Sequence, residues 1–209
     1  KRDLNIKKNR TDRVLADEEL SLLLEVSEES RTMLRNIIFF KLCLFYGNRY
    51  SELRIALKSH IDFKKRTWTV PPENHKTGEA SKKSIVRPII EEIAPLFRTL
   101  MELSSSKYLF PNADDKSEPM GRSGPTDMPY NFMQYARRHK QVEMKHWSFH
   151  DLRRTARTNF SSYTSRDIAE LMIGHVMPGE QGTYDYYDYQ EEMAKAYKKW
   201  WDKLKSLGY

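Results

Sequence analysis

Apolar side chains recur every three or four residues along most of this chain, which is the spacing of one face of a helix. Gly47 interrupts this pattern in the way that a glycine at the C-terminus of a helix does. The early predicted helices begin near Asp17 and cover about 31–46 and 49–57, and the later ones cover about 90–103, 127–139, 150–162, 166–173 and 190–207.

One interval has a different pattern, in which threonine alternates with Trp68 and Val70, and this predicts β structure. The predicted strands cover 60–63, 66–70 and 84–89, and a tight turn at Lys64-Lys65 joins the first two. Because Pro88 has no N–H to donate, the third strand is expected to end at a sheet edge. The predicted fold class is therefore α+β, mainly α, with a small three-stranded antiparallel sheet.

The chain is predicted to contain one domain and a linker. Residues 1–14 are polar and charged without apolar periodicity, which is typical of an interdomain linker, and residues 15–209 follow as a single domain. Residues 111–125 are rich in Asn, Asp, Ser, Gly and Pro, and they are predicted to form a surface loop. The sequence begins at Lys1 rather than methionine, so we expect a fragment of a longer protein with a further N-terminal domain.

The charge balance favours a polyanionic partner. Lysine and arginine number 36 against 29 acidic residues, a net charge of +7, which suits DNA, RNA or an anionic membrane. No apolar run approaches the roughly 20 residues that span a bilayer, and no signal-peptide core is present. Cys43 is the only cysteine, so we expect a soluble intracellular protein with neither a disulfide framework nor a cysteine metal site.

Metals and other cofactors are not predicted. No pair of acidic residues has metal-ligand spacing, and four histidines have no partners at such spacing. These four are predicted to be structural or surface groups: His60, His75, His139 and His146.

Candidate chemistry begins at His150 and Arg153, which are three residues apart and therefore neighbours on one helix face. Together they can contact one phosphate group. The opposite face can bury Phe149, Leu152, Ala156 and Phe160. The alternative reading of His-x-x-Arg alone is a solvated basic surface, so the interpretation depends on the motifs around it.

Four motifs occur in order, and together they carry a resemblance. They are Gly47-Asn48-Arg49-Tyr50-Ser51-Glu52-Leu53, His150-Asp151-Leu152-Arg153-Arg154-Thr155, Gly174-His175 and Tyr184. In these motifs the chain resembles the catalytic domain of the tyrosine recombinases, or phage-type integrases, over about residues 15–204. It is most similar to integrases of prophages and genomic islands.

The resemblance implies a site-specific recombinase that integrates or excises a mobile genetic element through a 3′-phosphotyrosine intermediate, without ATP or metal. It also implies double-stranded DNA attachment sites as partners and a homotetramer on two duplexes. A core-binding domain, with or without an arm-binding domain, would precede this chain. The place of action would be the bacterial cytoplasm, at the nucleoid.

The resemblance assigns Arg49 and Arg153 to the non-bridging oxygens of the scissile phosphate, which suits the planar, permanently charged guanidinium. Glu52 and Asp151 lie beside cationic residues of this candidate site in sequence and are expected to orient them. The alternative for Arg49 is an ordinary surface salt bridge with Glu52 or another acid.

His150 would accept the tyrosine proton or hold it in a hydrogen-bond network, because an imidazole titrates near neutral pH. His175 would donate a hydrogen bond to the same phosphate. The alternatives are a structural role for His150 and a helix-ending cap for His175.

Lys76 would protonate the departing 5′ oxygen, since it lies in the polar link of residues 73–83 between the second and third strands. The preference for Lys76 rests on Lys76-Thr77-Gly78. Lys82 and Lys83 share the link and remain alternatives.

Tyr184 would be the nucleophile that attacks phosphorus. Tyr186, Tyr187 and Tyr189 crowd the same segment, so Tyr187 and Tyr186 remain alternatives.

The C-terminal segment carries an apolar stripe at helical spacing: Met193, Tyr197, Trp200, Trp201, Leu204 and Leu207. It can pack on its own core, or it can be exchanged between protomers and couple assembly to activation. Two rival functions also remain: a type IB topoisomerase-like enzyme that relaxes DNA, and a catalytically inert DNA-binding module.

Overall fold

The computed structural model describes residues 13–175 and 188–209, in which helices pack around a small sheet. The helices in these ranges are α1 (Asp17–Glu29), α2 (Leu34–Tyr46), α3 (Tyr50–Arg54), α4 (Gly78–Ser81), α5 (Ala94–Leu103), α6 (Ser123–Tyr135), α7 (Phe149–Phe160), α8 (Arg166–Met172) and α9 (Gln190–Ser206). A π-helical turn, Ala136–Lys140, continues α6. The mainly helical α+β architecture predicted from the sequence is confirmed.

The sheet has the predicted three antiparallel strands: β1 (Ile61–Asp62), β2 (Thr67–Val70) and β3 (Ile85–Pro88). Trp68 of the central strand pairs with Ile61 on one side and Arg87 on the other. Pro88 ends β3 on an edge strand, where a missing N–H costs no ladder hydrogen bond.

Helix α2 lies at the centre of the fold. Its residues from Ile37 to Tyr46 are buried except for the half-buried Lys41, and the helix contacts α5, α7 and α9. A helix that is apolar on nearly all sides must be enclosed by other elements. Cys43 lies on this helix and is buried, as expected for a small core residue.

Gly47 ends α2 and turns the chain toward the site. Its φ of 58° lies in the left-handed region, and its N–H donates to Cys43 O at 3.0 Å. A Cβ at this position would lie 2.9 Å from Ala156 Cβ and 3.3 Å from Ile173 Cγ2. Glycine therefore allows both the turn and the close approach of α7, which places Arg49 at the start of α3.

The helix boundaries differ from the sequence predictions in two instructive places. Helix α5 begins at Ala94 rather than near residue 90. Helix α6 begins at Ser123, so the predicted loop of residues 111–125 ends earlier than expected. Pro125 fits the first turn of α6 because the N–H groups there have no intrahelical acceptor, whereas composition alone made this proline look like part of a loop.

Helix α9 packs on the core of its own chain, which was the first of the two predicted alternatives. It contacts β3, α2, α7 and α8. Tyr197 stacks on Phe45 with a centroid distance of 5.1 Å, and Trp201 and Leu207 are half-buried. Four side chains of the predicted stripe are buried: Met193, Tyr197, Trp200 and Leu204.

Arg13, which the sequence placed in the linker, contacts the domain. Its Nη1 donates to Lys145 O and His146 O, each at 2.6 Å, and its Nη2 contacts Glu19. None of the helices in the described ranges is both long enough and apolar enough to cross a bilayer.

We expect Gly47→Ala to lower the free energy of unfolding by about 1–3 kcal/mol, because the new methyl group meets Ala156 and alanine disfavours a positive φ. Urea unfolding monitored by tryptophan fluorescence measures this change. The matched control is Gly121→Ala, at an exposed position without close neighbours, where we expect less than about 0.5 kcal/mol. Equal effects at both positions would contradict the packing argument.

Candidate active site

Three chain segments converge at the site: the turn after α2, the helix α7 and the end of α8. They bring together Arg49, His150, Arg153 and His175. Arg153 contacts His175 directly, and the charge of Arg49 acts on both Arg153 and His150. The four residues therefore form one cluster with two arginines and two histidines, although 126 positions separate the first from the last in the sequence.

Arg153 is the most constrained member of this cluster and is only 5% exposed. Its Nη1 donates to Gly47 O at 2.8 Å and to Ile173 O at 2.5 Å, and its Nη2 donates to His175 Nε2 at 3.0 Å. Burial, with the nearby charge of Arg49, lowers the pKa of Arg153 to about 10. The guanidinium thus stays protonated at neutral pH and is fixed by carbonyls from two different segments.

The hydrogen-bond network determines the tautomer of His175 in the free chain. An arginine can only donate, so His175 Nε2 accepts from Arg153, and its Nδ1 carries the proton shared with Glu170 Oε2. Arg157 holds Glu170 in turn, through Nη2 at 2.7 Å and Nε at 3.0 Å. Burial opposes ionisation of Glu170, but the hydrogen bonds from Arg157 and His175 outweigh it and lower the pKa of this carboxyl group.

His150 lies exposed at the start of α7, within the field of three arginines. Partial desolvation lowers its pKa, and the charges of Arg154, Arg153 and Arg49 lower it further against the opposing effect of Asp151. An imidazole with a lowered pKa is neutral at pH 7 and can accept a proton. This property suits the role predicted for His150.

Asp151 stabilises the start of α7. Its Oδ2 accepts from Ser148 N at 2.9 Å and from Ser148 Oγ at 2.7 Å, while Oδ1 pairs with Arg154 at 3.2 Å. The cation that Asp151 orients is therefore Arg154, rather than Arg153.

Glu52 connects two arginines from inside the protein. Its Oε1 lies 3.2 Å from Arg49 Nη1, and its Oε2 lies 2.9 Å from Arg87 Nη2. The alternative reading of Arg49 as a salt-bridge partner of Glu52 is thus also correct, but 22% of the Arg49 side chain remains accessible. Arg49 can pair with Glu52 and still contact a ligand.

Lys76 lies on the rim of a cleft of about 780 Å³. Ser51 of α3 and Lys82 also line this cleft, so the cleft extends from the neighbourhood of Arg49 to the link between β2 and β3. The buried His75 holds this link in shape by hydrogen bonds to Thr77 Oγ1 at 3.2 Å and to Lys83 O at 2.9 Å. Lys76, Lys82 and Lys83 all remain candidates for the general acid.

Tyr184, the predicted nucleophile, lies outside the described residues, as do its alternatives Tyr186 and Tyr187. Tyr189 is described and precedes α9, where it packs against the core. In the described part of the chain, no group of three or more His, Cys, Asp or Glu side chains could hold a metal ion.

Two residues of this network, Arg87 and Glu170, were not predicted from the sequence. A charged residue inside the apolar run 85–90 was the available signal for Arg87, since strand alternation places it on the buried face opposite Trp68. The only sequence signal for Glu170 was its position five residues before His175, and this spacing predicts no particular contact.

Three solved integrase structures share this fold. An integrase of the transposon Tn1549, in complex with a circular intermediate DNA, has a TM-score of 0.65 at 15% identity, covering 80% of this chain and 59% of that chain. The integrase of mycobacterium phage Brujita gives 0.61 at 16% identity, covering 85% and 55%. The lambda integrase dimer bound to a COC′ core site gives 0.59 at 18% identity, covering 86% and 62%.

The chain spans less than two thirds of the length of each of these integrases. A sequence comparison with curated proteins gives no significant match. The family model described as the phage integrase family matches residues 13–191, which include all the segments that form the site. The chain belongs to the phage integrase family.

Proposed function

We propose that this chain is the catalytic domain of a tyrosine recombinase that cuts and rejoins DNA at specific sites to integrate or excise a mobile element. The observation that carries the proposal is the convergence of Arg49, His150, Arg153 and His175 into one cluster of a basic protein. The Tn1549 and lambda integrases of the same fold are bound to DNA, which supports DNA as the partner.

The scissile phosphate would bind between Arg49 and Arg153, whose charges stabilise the extra negative charge of the pentacoordinate transition state. His175 Nε2 accepts from Arg153 in the free chain, so it can donate to phosphate only after this contact changes. Arg153 Nη2 would turn to the phosphate oxygen, and His175 Nε2, with a proton taken from solvent, would then donate a hydrogen bond to the phosphate. Glu170 contacts Nδ1 and orients the ring.

The reaction would exchange one phosphoester bond for another. The Tyr184 oxygen attacks phosphorus while the bond to the 5′ oxygen breaks, so no external energy source is consumed. The phenol proton passes to the neutral imidazole of His150, and Lys76 supplies a proton to the departing 5′ oxygen. A 5′ hydroxyl of another strand reverses these transfers and reseals the DNA.

The complete protein would carry a core-binding domain, with or without an arm-binding domain, ahead of residue 1, joined through the linker of residues 1–14. It would act as a homotetramer on two duplexes at the bacterial nucleoid. Contacts to phosphate would supply most of the affinity of this domain. Exchange of α9 between protomers would first have to withdraw the buried Tyr197 and Trp200 from the core of their own chain.

We expect the wild-type chain to form a covalent adduct with a nicked suicide DNA substrate that carries candidate sites, and Tyr184→Phe to form none. Phenylalanine keeps the ring but removes the attacking oxygen. A denaturing gel with end-labelled DNA measures the adduct, and Tyr186→Phe and Tyr187→Phe are the matched controls. An adduct that persists in Tyr184→Phe would assign the nucleophile to another tyrosine, and none in the wild type would favour an inert DNA-binding module.

We expect Lys76→Ala to slow cleavage by about 10²–10⁴-fold, the usual contribution of a general acid. The same variant should cleave normally when sulfur replaces the bridging 5′ oxygen, because a thiolate leaves without being protonated. Single-turnover rates on the two substrates measure this rescue. Lys82→Ala is the control on the same cleft, and rescue of Lys82→Ala instead of Lys76→Ala would move the general acid to Lys82.

We expect the cleavage rate to fall at acidic pH as His150 becomes protonated, with the midpoint below 6.5 because its pKa is lowered. Arg154→Gln removes a neighbouring positive charge, so it should raise the pKa of His150 and move this acid limb to higher pH. Proton NMR of the His150 ring in the free protein measures the same midpoint independently. Arg154→Lys retains the charge, and a shift as large as that of Arg154→Gln would contradict the electrostatic cause.

A further inference from the structure

Arg87 is a fully buried arginine on β3, and the mechanism above gives it no role. Its exposed fraction is 0%, in a strand whose neighbours are Val86 and Pro88. Burying a guanidinium costs several kcal/mol unless the charge is paired and its donors find acceptors. A residue of this kind needs a reason beyond packing, because an apolar side chain would fill the strand at lower cost.

The contacts of Arg87 connect two parts of the active site with the central strand of the sheet. Its Nη2 donates to Glu52 Oε2 at 2.9 Å, its Nε donates to Met172 O at 3.1 Å, and the guanidinium lies 5.0 Å from the ring centroid of Trp68. A Cβ on Gly174 would approach Arg87 Nη2 to 2.8 Å. Arg87 therefore lies behind Glu52 on one side and directly beneath the Gly174-His175 segment on the other.

Helix α9 contributes to the same arrangement. The Tyr197 hydroxyl donates to Met172 O at 3.0 Å, so this carbonyl accepts from both Tyr197 and Arg87. Gln190 Nε2 donates to Val86 O, one residue before Arg87, at 3.1 Å. The side chain of Arg87 is thus held on several sides and cannot leave Glu52 without disturbing these contacts.

We propose that Arg87 is a positioning residue for Arg49, acting through the carboxylate that the two arginines share. Arg87 donates to Glu52 Oε2, so Arg49 makes a single contact with this carboxylate, at 3.2 Å to Oε1. The remaining N–H groups of Arg49, whose side chain is partly exposed, are thereby available for a ligand at the surface. The value of this arrangement for catalysis rests on the proposed function, whereas the division of Glu52 between two arginines does not.

The chemistry of a carboxylate predicts the effect of removing Arg87. A carboxylate with one arginine partner tends to bind it through both oxygens in a bidentate pair. Without Arg87, Glu52 would bind Arg49 through both carboxylate oxygens, and fewer N–H groups of Arg49 would remain for a ligand. Lysine is a poor substitute at this position, because Arg87 directs two N–H groups to two acceptors and an ammonium offers only a compact charge.

The first test uses NMR of the arginine side chains in the free 209-residue protein, with the Arg49 signal assigned by its loss in Arg49→Lys. We expect rotation of the Arg49 guanidinium to become slower in Arg87→Met, because a bidentate pair with Glu52 restrains it. A purely structural role for Arg87 would loosen the site and make this rotation faster. Unchanged or faster rotation would overturn the proposal.

Two further variants serve as controls for the NMR test. Arg87→Met/Glu52→Gln removes both buried charges, so it should fold even where the single variant is unstable, and it should release Arg49 from slow rotation. Arg35→Met is the matched control, since Arg35 is a half-buried arginine that donates to Pro111 O and should leave Arg49 unchanged. Slow rotation of Arg49 that persists in the double variant would overturn the role of Glu52.

The second test measures DNA cleavage in single turnovers on the suicide substrate. We expect Arg87→Met to slow cleavage by about 10–100-fold through misplacement of Arg49, with partial recovery in Arg87→Lys. The Kd for uncleavable DNA should change less than about threefold, because Arg87 is buried and contacts no phosphate. In the Glu52→Gln background, Arg87→Met should add less than about threefold to the loss.

Fully additive losses in this double-mutant cycle would show that Arg87 acts independently of Glu52 and would overturn the proposal. The two proposals fail separately. Absence of cleavage in the wild-type chain would count against the proposed function, and the NMR comparison would still decide whether Arg87 positions Arg49.

Discussion

The active site depends on the buried guanidinium of Arg153, which holds together three segments that are distant in the sequence. Its bonds to Gly47 O and Ile173 O join the end of α2 to the end of α8 across α7. Both carbonyls belong to chain turns, where a helix has ended and its last C=O groups need donors. Arg153 therefore satisfies two helix ends and positions His175 with the same side chain.

The fully buried charges of the site balance, with Arg153 and Arg87 against Glu52 and Asp151. The excess of positive charge lies in the half-buried shell, where Arg49, Arg154 and Arg157 face only the partly exposed Glu170. Burial lowers the pKa values of Arg153 and His150, and the repulsion between like charges lowers them further. A bound phosphate would relieve this repulsion, so the same arrangement that is costly in the free protein favours an anionic ligand and, more strongly, a transition state with additional negative charge.

The sequence predicted the elements better than it predicted the contacts between them. Periodicity located the central helix, the hairpin and the final helix, because each buries a face with a regular spacing. Motif resemblance identified Arg49, Arg153 and His175 as neighbours, which no local pattern could do. Arg87 and Glu170 were missed because their roles depend on which side chains from other elements lie opposite them. The start of α6 was missed because Pro125 favours a loop by composition and a helix only by its place in the first turn.

A site built on short segments needs support from long ones. Arg49 precedes a five-residue helix and His175 follows a seven-residue helix, and neither element could hold a side chain in place alone. Helices α2 and α7, which pack closely at Gly47, supply part of this support. The ion pairs of Glu52 with Arg49 and with the buried Arg87 supply the rest. Because Tyr197 and Arg87 share the carbonyl of Met172, the docking of α9 and the orientation of the arginine pair belong to one hydrogen-bond network. Any change in the packing of α9 would therefore alter the hydrogen bonds that orient the arginines that we propose bind phosphate.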